Sequence, residues 1–362
     1  MNITSLEVSD FRNYEKAYVE FDSGVNILYG NNAQGKTNLL EALFFGCTSK
    51  SQKGSKEREM IRFDADEAHI RIVFDKRDIE HKIDMHLRKN KSKGIAIDGN
   101  PIKKAAELYG LVNIVSFSPD DLQIIKNGPA ERRRFMDMEL CQLDRLYMHN
   151  LSYYNHALNQ KNSLLKKIDL GRLGDTMDIW DEQLVKYGSY IIDARKRFTD
   201  DLNMIIGSIH SSLSLGKEEL KLRYMYDVSA DAFAEKLFLN RDRDVFLKAV
   251  SVGPHRDDLE FLINGESARK FGSQGQQRTT ALSLKLAEIE LVKNKIGDNP
   301  VLLLDDVLSE LDRDRQTMLL DSIRDTQTMI SCTGLEEFVE NRLSCDRIYH
   351  VENGSISRAE KI

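Results

Sequence analysis

The N-terminal part of the sequence contains Gly30-Asn31-Asn32-Ala33-Gln34-Gly35-Lys36-Thr37, which has the pattern G-x-x-x-x-G-K-[ST] of a phosphate-binding loop. The apolar segment 25–29 predicts a buried strand before the loop, and segment 38–45 predicts a helix after it. Backbone N–H groups and the positive end of a helix dipole would then face an anion. In this pattern the lysine reaches the β- and γ-phosphates and the threonine hydroxyl ligates Mg²⁺. The flanking strand and helix favour a nucleotide site over a glycine-rich turn without a function.

The composition indicates a soluble globular protein. The chain has 362 residues, a formal net charge of −6 and 41% hydrophobic residues, enough for two or three domains with substantial cores. No apolar run approaches the ~20 residues that span a bilayer, and the first residues lack the pattern of a signal peptide. We therefore expect a cytoplasmic protein without a membrane partner. The cysteines predict reduced thiols, since no two form a Cys-x-x-Cys pair; they are Cys47, Cys141, Cys332 and Cys345.

Basic residues form local clusters, although the whole chain is acidic. Any nucleic-acid surface must therefore be a local patch. Clusters occur within residues 50–58, 88–93, 132–134 and 161–167. Each cluster taken alone is more often a solvated face than a binding site. The candidates for DNA contact are Lys89, Lys91, Lys93, Arg132, Arg133 and Arg134.

Periodic patterns divide the sequence into an α/β part and a helical part. Segments 70–74 and 79–87 alternate in polarity as half-buried antiparallel strands do. From residue 118 to about 215, helical periodicity replaces these signals, and a loop at 171–175 separates two long amphipathic stretches. They predict a helical hairpin over about 140–215, with arms each on the order of 40 Å long.

A second part of the nucleotide site lies near the C-terminus. The apolar strand 301–304 ends in Asp305 and Asp306, the arrangement of the acidic partner of a phosphate loop. Asp305 would hold Mg²⁺ together with Thr37. Asp306 would orient the attacking water or accept its proton, so Asp306 and Lys36 are the catalytic candidates. Plain helix capping is the weaker alternative for the two carboxylates. Because Thr37 and Asp305 are 268 residues apart, an insertion must split the nucleotide-binding domain.

Upstream of the acidic strand lies a small, amide-rich run that opens a long helix, Ser273-Gln274-Gly275-Gln276. Like the phosphate loop, it offers backbone N–H groups and a helix N-terminus to an anion. One molecule has no obvious need for two phosphate cradles. If this run closes over the nucleotide held by another copy, ATP becomes part of a homodimer interface.

These motifs together resemble a known family. Ser273-Gln274-Gly275-Gln276 is similar to the signature motif of ABC-type ATPases, and segment 309–312 is similar to the D-loop that follows their acidic strand. The helical insertion resembles the branch with SMC-type heads. Within it, segments 128–135 and 253–259 are similar to motifs of the RecF family of bacterial recombination and repair ATPases. The resemblance covers essentially the whole chain.

The resemblance implies an α/β fold, in which an ABC-type ATPase head with mixed parallel and antiparallel sheets is interrupted by an inserted helical arm domain. We assign residues 1–117 plus 245–362 to the head and residues 118–244 to the mainly helical arm. The resemblance also implies that Arg12, Asn13 and Asn38 join the phosphate loop around ATP.

The same resemblance implies an ATP-dependent DNA-binding protein. Two copies would close head to head around ATP and Mg²⁺, with the signature residues of each copy acting in trans. The dimer would bind double-stranded DNA and single-strand gap junctions and, with RecO and RecR, help to load RecA recombinase on single-stranded DNA. Thr333 stands where many ABC ATPases have a switch histidine, and Asp306 stands where most have glutamate. Both departures indicate slow hydrolysis that is used as a switch, and we expect DNA to stimulate it.

Two other classes share the phosphate loop, and one of them also shares the signature run and the acidic strand end. The ATPase subunit of a membrane transporter has all three nucleotide motifs, but a compact helical subdomain is expected there instead of a long hairpin. A simple kinase or GTPase would use the phosphate loop alone, which leaves the signature-like run unexplained.

Overall fold

The structure, a computed structural model, describes residues 1–52, 54–167, 174–334 and 345–359. The chain forms two compact units, Met1–Asp121 with Glu288–Ile362, and Leu122–Ala287. Lys53 of the first basic cluster and residues 171–173 of the predicted loop lie outside the described residues. Among the described residues, no helix combines the length and apolar character needed to cross a bilayer.

The first unit is built mainly from strands. Its N-terminal elements are β1 (Asn2–Phe11), β2 (Tyr14–Glu20), β3 (Val25–Tyr29), α1 (Lys36–Thr48), α2 (Glu57–Met60), β4 (Glu67–Lys76), β5 (Ile79–Arg88), β6 (Lys91–Ile97), β7 (Asn100–Pro101) and β8 (Ile114–Phe117). The second unit follows with α3 (Leu122–Lys126), α4 (Pro129–Leu143), α5 (Arg145–Lys167), α6 (Gly174–Leu213), β9 (Leu220–Met225), α7 (Phe233–Leu239), α8 (Arg241–Leu247), β10 (Asp258–Ile263), β11 (Glu266–Ser267) and α9 (Ala268–Phe271). The remaining elements are α10 (Gln274–Ile296), which crosses the boundary between the units, β12 (Val301–Asp305), α11 (Arg313–Ser322), β13 (Thr328–Cys332), β14 (Cys345–Glu352) and β15 (Ser355–Arg358).

A largely parallel sheet carries the phosphate loop. Its strand order within the described residues is β15-β14-β3-β13-β12-β8, and all neighbours are parallel except β14 and β15. β3, β12 and β13 are buried along nearly their whole length, as expected of strands that are covered on both faces. Because the strands are parallel, β3, β12 and β13 end at the same edge, which brings the phosphate loop beside the acidic pair.

An antiparallel sheet completes the first unit, with the order β2-β1-β4-β5-β6-β7 in the described chain. β4 alternates between buried and accessible positions, which is the pattern of a strand with one face on the core. The predicted antiparallel strands are therefore present. Parallel and antiparallel sheets in one split head, interrupted by a helical arm, confirm the predicted fold class.

The helical arm differs from its predicted dimensions. α5 has 23 residues and α6 has 40, which correspond to about 35 and 60 Å at 1.5 Å per residue. α6 is longer because its C-terminal part leaves the hairpin and packs on β9, where Asn203 bonds both the N–H and the C=O of Leu222. The apolar stripe of α6 thus packs against α5 and, further along the helix, against β9.

The second boundary of the arm also differs from the predicted residue 244. β9 pairs with β10 in a three-stranded antiparallel sheet with β11, so the chain up to Ala287 belongs to the second unit. The apolar alternation of β10 was assigned to the head because it resembles the strands there. Its partner strand, however, is β9, which follows α6. Pairing between strands about 40 residues apart leaves no local pattern in the sequence.

A buried ionic network holds the second unit together. Arg195, on α6, donates to Asp137 at 2.8 Å, to Asp257 at 3.1 Å and to the carbonyl of Pro254 at 2.7 Å. Asp257 also accepts hydrogen bonds from the hydroxyl of Tyr224 and from the backbone N–H of Asp227, which follows β9. Burial raises the pKa of the Asp257 carboxyl, and the Arg195 guanidinium opposes that shift. Segment 253–258, Gly-Pro-His-Arg-Asp-Asp, therefore links α6 to α4 and β9 in this unit.

Candidate nucleotide-binding site

The phosphate loop has the backbone that its glycines predict. Gly35 has a φ of 118° and precedes the first residue of α1, and Gly30 has a φ of 153°. A Cβ at Gly30 would lie 2.2 Å from the carbonyl oxygen of Val351. Both positions therefore require glycine, and the loop delivers its N–H groups to the start of the helix.

Lys36 is buried in the loop that it belongs to. Its side chain is 3% exposed, and its ammonium donates to the carbonyls of Gly30 at 2.8 Å and Asn31 at 3.0 Å. These are neutral acceptors, so the hydrogen bonds leave the positive charge of Lys36 available to an anion. A polyphosphate is the ligand class that fits a buried ammonium surrounded by backbone N–H groups.

Thr37 and Asp305 meet directly, as their predicted common role requires. The Thr37 hydroxyl donates to Oδ1 of Asp305 at 2.8 Å, and the Ser331 hydroxyl donates to the same oxygen at 2.7 Å. A hydroxyl and a carboxylate next to a phosphate cradle are hard oxygen ligands of the kind that Mg²⁺ takes with phosphate oxygens and water. The donor set therefore fits this ion.

Asp306 lies in an unusual backbone conformation beside this pair. Its φ is 52°, and its N–H donates to the carbonyl of Ser331 at 3.2 Å and to the Ser331 hydroxyl at 3.0 Å. Burial raises the pKa of the Asp306 carboxyl; the charge of Lys36 lowers it, and Asp305 raises it further. A carboxyl with a raised pKa is a stronger base when ionised, which suits proton acceptance from water.

Hydrogen bonds among side-chain amides stabilise the phosphate loop. The side chain of Asn13 donates to the carbonyl of Gln34 at 2.9 Å and accepts a hydrogen bond from the side chain of Asn38 at 2.8 Å. The Gln34 side chain accepts from the N–H of Asn353 at 2.7 Å, so the turn between β14 and β15 also holds the loop. Asn38 thus supports the loop in this structure.

Arg12 is engaged by a carboxylate on the first helix. Its guanidinium forms two 2.8 Å hydrogen bonds with Glu41 and further bonds with Ser55 and the carbonyl of Glu59. Four of its five N–H donors are therefore used within the protein. Arg12 lies against α1, and its contact with the nucleotide remains a proposal.

The signature segment, Ser273–Gln276, forms the N-terminus of α10 in the second unit. The N–H of Gln276 donates to the Ser273 hydroxyl at 3.2 Å, and the N–H of Ser273 donates to the Gln276 side chain at 2.8 Å. This is a capping box, which leaves the N–H groups of Gln274 and Gly275 at the exposed helix end. Thr333 is exposed just beyond β13.

The candidates for DNA contact divide into accessible and engaged side chains. Lys91 is exposed at the start of β6, and Lys89 is exposed 3.5 Å from Asp66. Lys93 forms an ion pair with Glu57 at 2.5 Å and lies 5.0 Å from the ring of Phe45. Lys93 is therefore a bridge between β6 and α2 rather than an open cation.

Arg132, a candidate for DNA contact, is buried and is not an open cation in this structure. Its side chain is 3% exposed and forms a two-point ion pair with Asp258 at 2.6 and 2.9 Å, because α4 packs against β10. Arg133 is half-buried and donates to the carbonyl of Asp257, and burial lowers its pKa. Arg134 is partly exposed near Glu131. The triple-arginine segment is thus mainly structural.

We expect Arg132→Leu to lower the free energy of unfolding by about 3 kcal/mol, because it leaves the Asp258 carboxylate without its buried partner. Arg134→Leu, two residues away, should change it by less than about 1 kcal/mol. Urea unfolding followed by circular dichroism measures both. Unchanged stability of Arg132→Leu together with weakened DNA binding would restore the original assignment.

Sequence patterns did not reveal several residues of the site. Ser331 fixes both acidic residues, and Glu41 fixes Arg12, yet neither belongs to a motif that we used. The available signal for Ser331 was a polar residue near the end of a buried strand. In the sequence, Glu41 is only a carboxylate within an apolar helical segment.

Comparisons with known proteins agree with this geometry. The family model described as "RecF/RecN/SMC N terminal domain" matches residues 2–357. The DNA replication and repair protein RecF of Lachnoclostridium phytofermentans is 58% identical over 359 residues, which cover 99% of this chain and 100% of the relative. A solved structure of the recombination mediator protein RecF-ATP in the RecFOR pathway has a TM-score of 0.92 and 34% identity, with 99% and 98% of the two chains covered.

More distant structures share the fold. An Smc head bound to the C-terminal winged-helix domain of ScpA has a TM-score of 0.58 at 19% identity, with 99% of this chain and 97% of that chain covered. The head-with-arm architecture is therefore common to RecF and Smc heads. These matches favour the RecF family over a transporter subunit or a simple kinase. The chain belongs to the RecF family of ABC-type ATPases with SMC-like heads, a family of DNA replication and repair proteins.

Proposed function

We propose that the protein is an ATP-controlled DNA clamp of recombinational repair and replication restart. The observation that carries the ATP part is the meeting of Lys36, Thr37 and the acidic pair at one sheet edge, although 268 residues separate Thr37 from Asp305. ATP would lie on the phosphate loop. Thr37 and Asp305 would hold Mg²⁺, which supplies charge neutralisation at the phosphates.

The chain's own residues would then perform hydrolysis. Lys36 would turn from the carbonyls of its own loop to the β- and γ-phosphates. Asp306, held by Ser331, would orient a water and accept its proton. An aspartate is shorter than the glutamate common in ABC ATPases, which favours slow, DNA-stimulated hydrolysis used as a switch.

The signature segment of a second copy would complete the site. The helix end at Gln274 and Gly275 would donate to the γ-phosphate of ATP held by the other copy, so ATP favours the closed dimer and hydrolysis reopens it. The closed dimer would bind double-stranded DNA and single-strand gap junctions. With RecR and RecO it would help to load RecA; the name of the RecF-ATP neighbour, which includes the RecFOR pathway, supports this role.

Retention of the protein on duplex DNA tests this proposal. With ATP, retention should be strong at low salt and fall steeply as salt is raised, because bound phosphates release counterions. With ADP it should be weak. Equal retention with ATP, with ADP and without nucleotide would contradict an ATP-controlled clamp.

A further inference from the structure

A chain of hydrogen bonds connects the signature segment to the arm helix. The amide nitrogen of the Gln276 side chain donates to Oε1 of Glu218 at 2.9 Å. The other carboxylate oxygen of Glu218 lies 3.2 Å from Nε2 of His210, in the last turn of α6. Nδ1 of His210 lies 2.8 Å from the hydroxyl of Ser283, which is again on α10. The chain thus leaves α10 at Gln276 and returns to it at Ser283.

The charge of Glu218 fixes the orientation of the Gln276 amide. A carboxylate only accepts hydrogen bonds, so the NH₂ group of Gln276 must face Glu218 and its oxygen must face the other way. That oxygen accepts the N–H of Ser273 in the capping box. Glu218 therefore selects the amide orientation in which the signature segment caps itself.

His210 makes this arrangement rigid. The imidazole is fully buried, and because the Glu218 carboxylate only accepts, Nε2 carries the proton of their bond. Gln276 and Ser283 are seven residues apart, about two turns of helix. Glu218 and His210 thus hold the first three turns of α10 against the end of α6.

With these hydrogen bonds formed, the N-terminus of α10 remains accessible to a ligand. Ser273, Gln274 and Gly275 are exposed, and a Cβ built on Gly275 would have its nearest neighbour, the Ser273 hydroxyl, at 3.9 Å. If the Gln276 amide were free to turn, its NH₂ group could face the N–H of Ser273 and the capping bond would be lost. The segment would then have to be ordered on binding, at a cost in conformational entropy. Pre-ordering by Glu218 avoids this cost.

We propose that Glu218 and His210 are positioning residues that hold the signature segment of one copy ready to close over the nucleotide of a second copy. This inference rests on the proposed function, in which that segment acts in trans. Because His210 belongs to the arm helix, the same contacts tie the order of the signature segment to the position of α6.

Glu218→Ala tests the proposal, with Glu219→Ala as the matched control. Glu219 is the exposed neighbouring carboxylate, so the control removes the same charge one residue away. We expect Glu218→Ala to weaken ATP-dependent dimerisation about tenfold or more in sedimentation. The affinity of the monomer for ATP, measured by calorimetry at a concentration below dimerisation, should not change. Glu218→Gln, whose amide oxygen can still accept from Gln276, should recover part of the loss.

A double variant guards against a merely structural effect. If Glu218 acts through Gln276, Glu218→Ala and Gln276→Ala combined should weaken the dimer no more than the stronger single change. Additive losses, or a wild-type dimer affinity for Glu218→Ala, would overturn the inference. If the wild-type protein itself fails to dimerise with ATP, the proposed function fails instead, so the two failures are distinguishable.

Discussion

Lys36→Met is expected to weaken ATP binding by about 100-fold or more and to abolish ATP-dependent dimerisation. The change removes the buried positive charge of the phosphate loop, and losing one partner of a desolvated charge pair costs at least ~3 kcal/mol. Methionine is close in length and apolar, so the largely buried position should remain filled. Calorimetric titration with ATP and sedimentation measure the two losses.

Lys103→Met is the matched control for this change, because Lys103 is an exposed lysine of the same unit. The control should bind ATP and dimerise as the wild type does. A Lys36→Met protein that dimerises on ATP addition with wild-type affinity would show that the phosphate loop does not control assembly.

Asp306→Asn should lower the rate of ATP hydrolysis by a factor of about 100 or more while leaving ATP binding intact. An amide cannot accept the proton of the attacking water, and positioned general bases contribute on the order of 10²–10⁴-fold. The variant should therefore stay in the ATP-bound dimer for longer than the wild type. Single-turnover hydrolysis and the lifetime of the dimer after removal of free ATP give the two readouts.

The raised pKa of the Asp306 carboxyl adds a pH signature to this prediction. The base acts only when ionised, so the wild-type rate should fall as the pH is lowered through that pKa, at a higher pH than for an ordinary aspartate. Asp306→Asn should lack this decline, and Asp325→Asn, an exposed control, should keep it. Wild-type turnover by Asp306→Asn would remove the residue from the catalytic role.

The nucleotide site was largely predictable because its motifs are local. A phosphate loop needs glycines and a lysine at fixed spacing, and an acidic strand end is a short pattern. The contact between Thr37 and Asp305 also followed from the sequence, since parallel strands place their ends at a common edge. The separation of Thr37 and Asp305 by 268 residues predicted that the head is split, and family resemblance then identified the signature segment.

The contacts that remained unpredicted join residues far apart in sequence. Arg132 looks like part of a basic patch until Asp258, 126 residues later, is placed beside it. Glu218 pairs with Gln276 across 58 residues, and His210 pairs with Ser283 across 73. These pairs leave no motif in the sequence, because an ion pair or a side-chain hydrogen bond requires only suitable side chains that lie close together in the fold. The boundary of the arm was missed for the same reason, through the pairing of β9 with β10.

The central claim is that ATP joins the phosphate loop of one copy to the signature segment of another, and Ser273→Arg tests it most directly. Ser273 is exposed, so the bulky cation should be tolerated in the monomer, and Ser211→Arg at another exposed serine is the control. Sedimentation with a non-hydrolysable ATP analogue is the measurement. We predict that Ser273→Arg binds the analogue with wild-type affinity yet stays monomeric, whereas the wild type and the control dimerise. Dimerisation of Ser273→Arg with wild-type affinity would contradict the account.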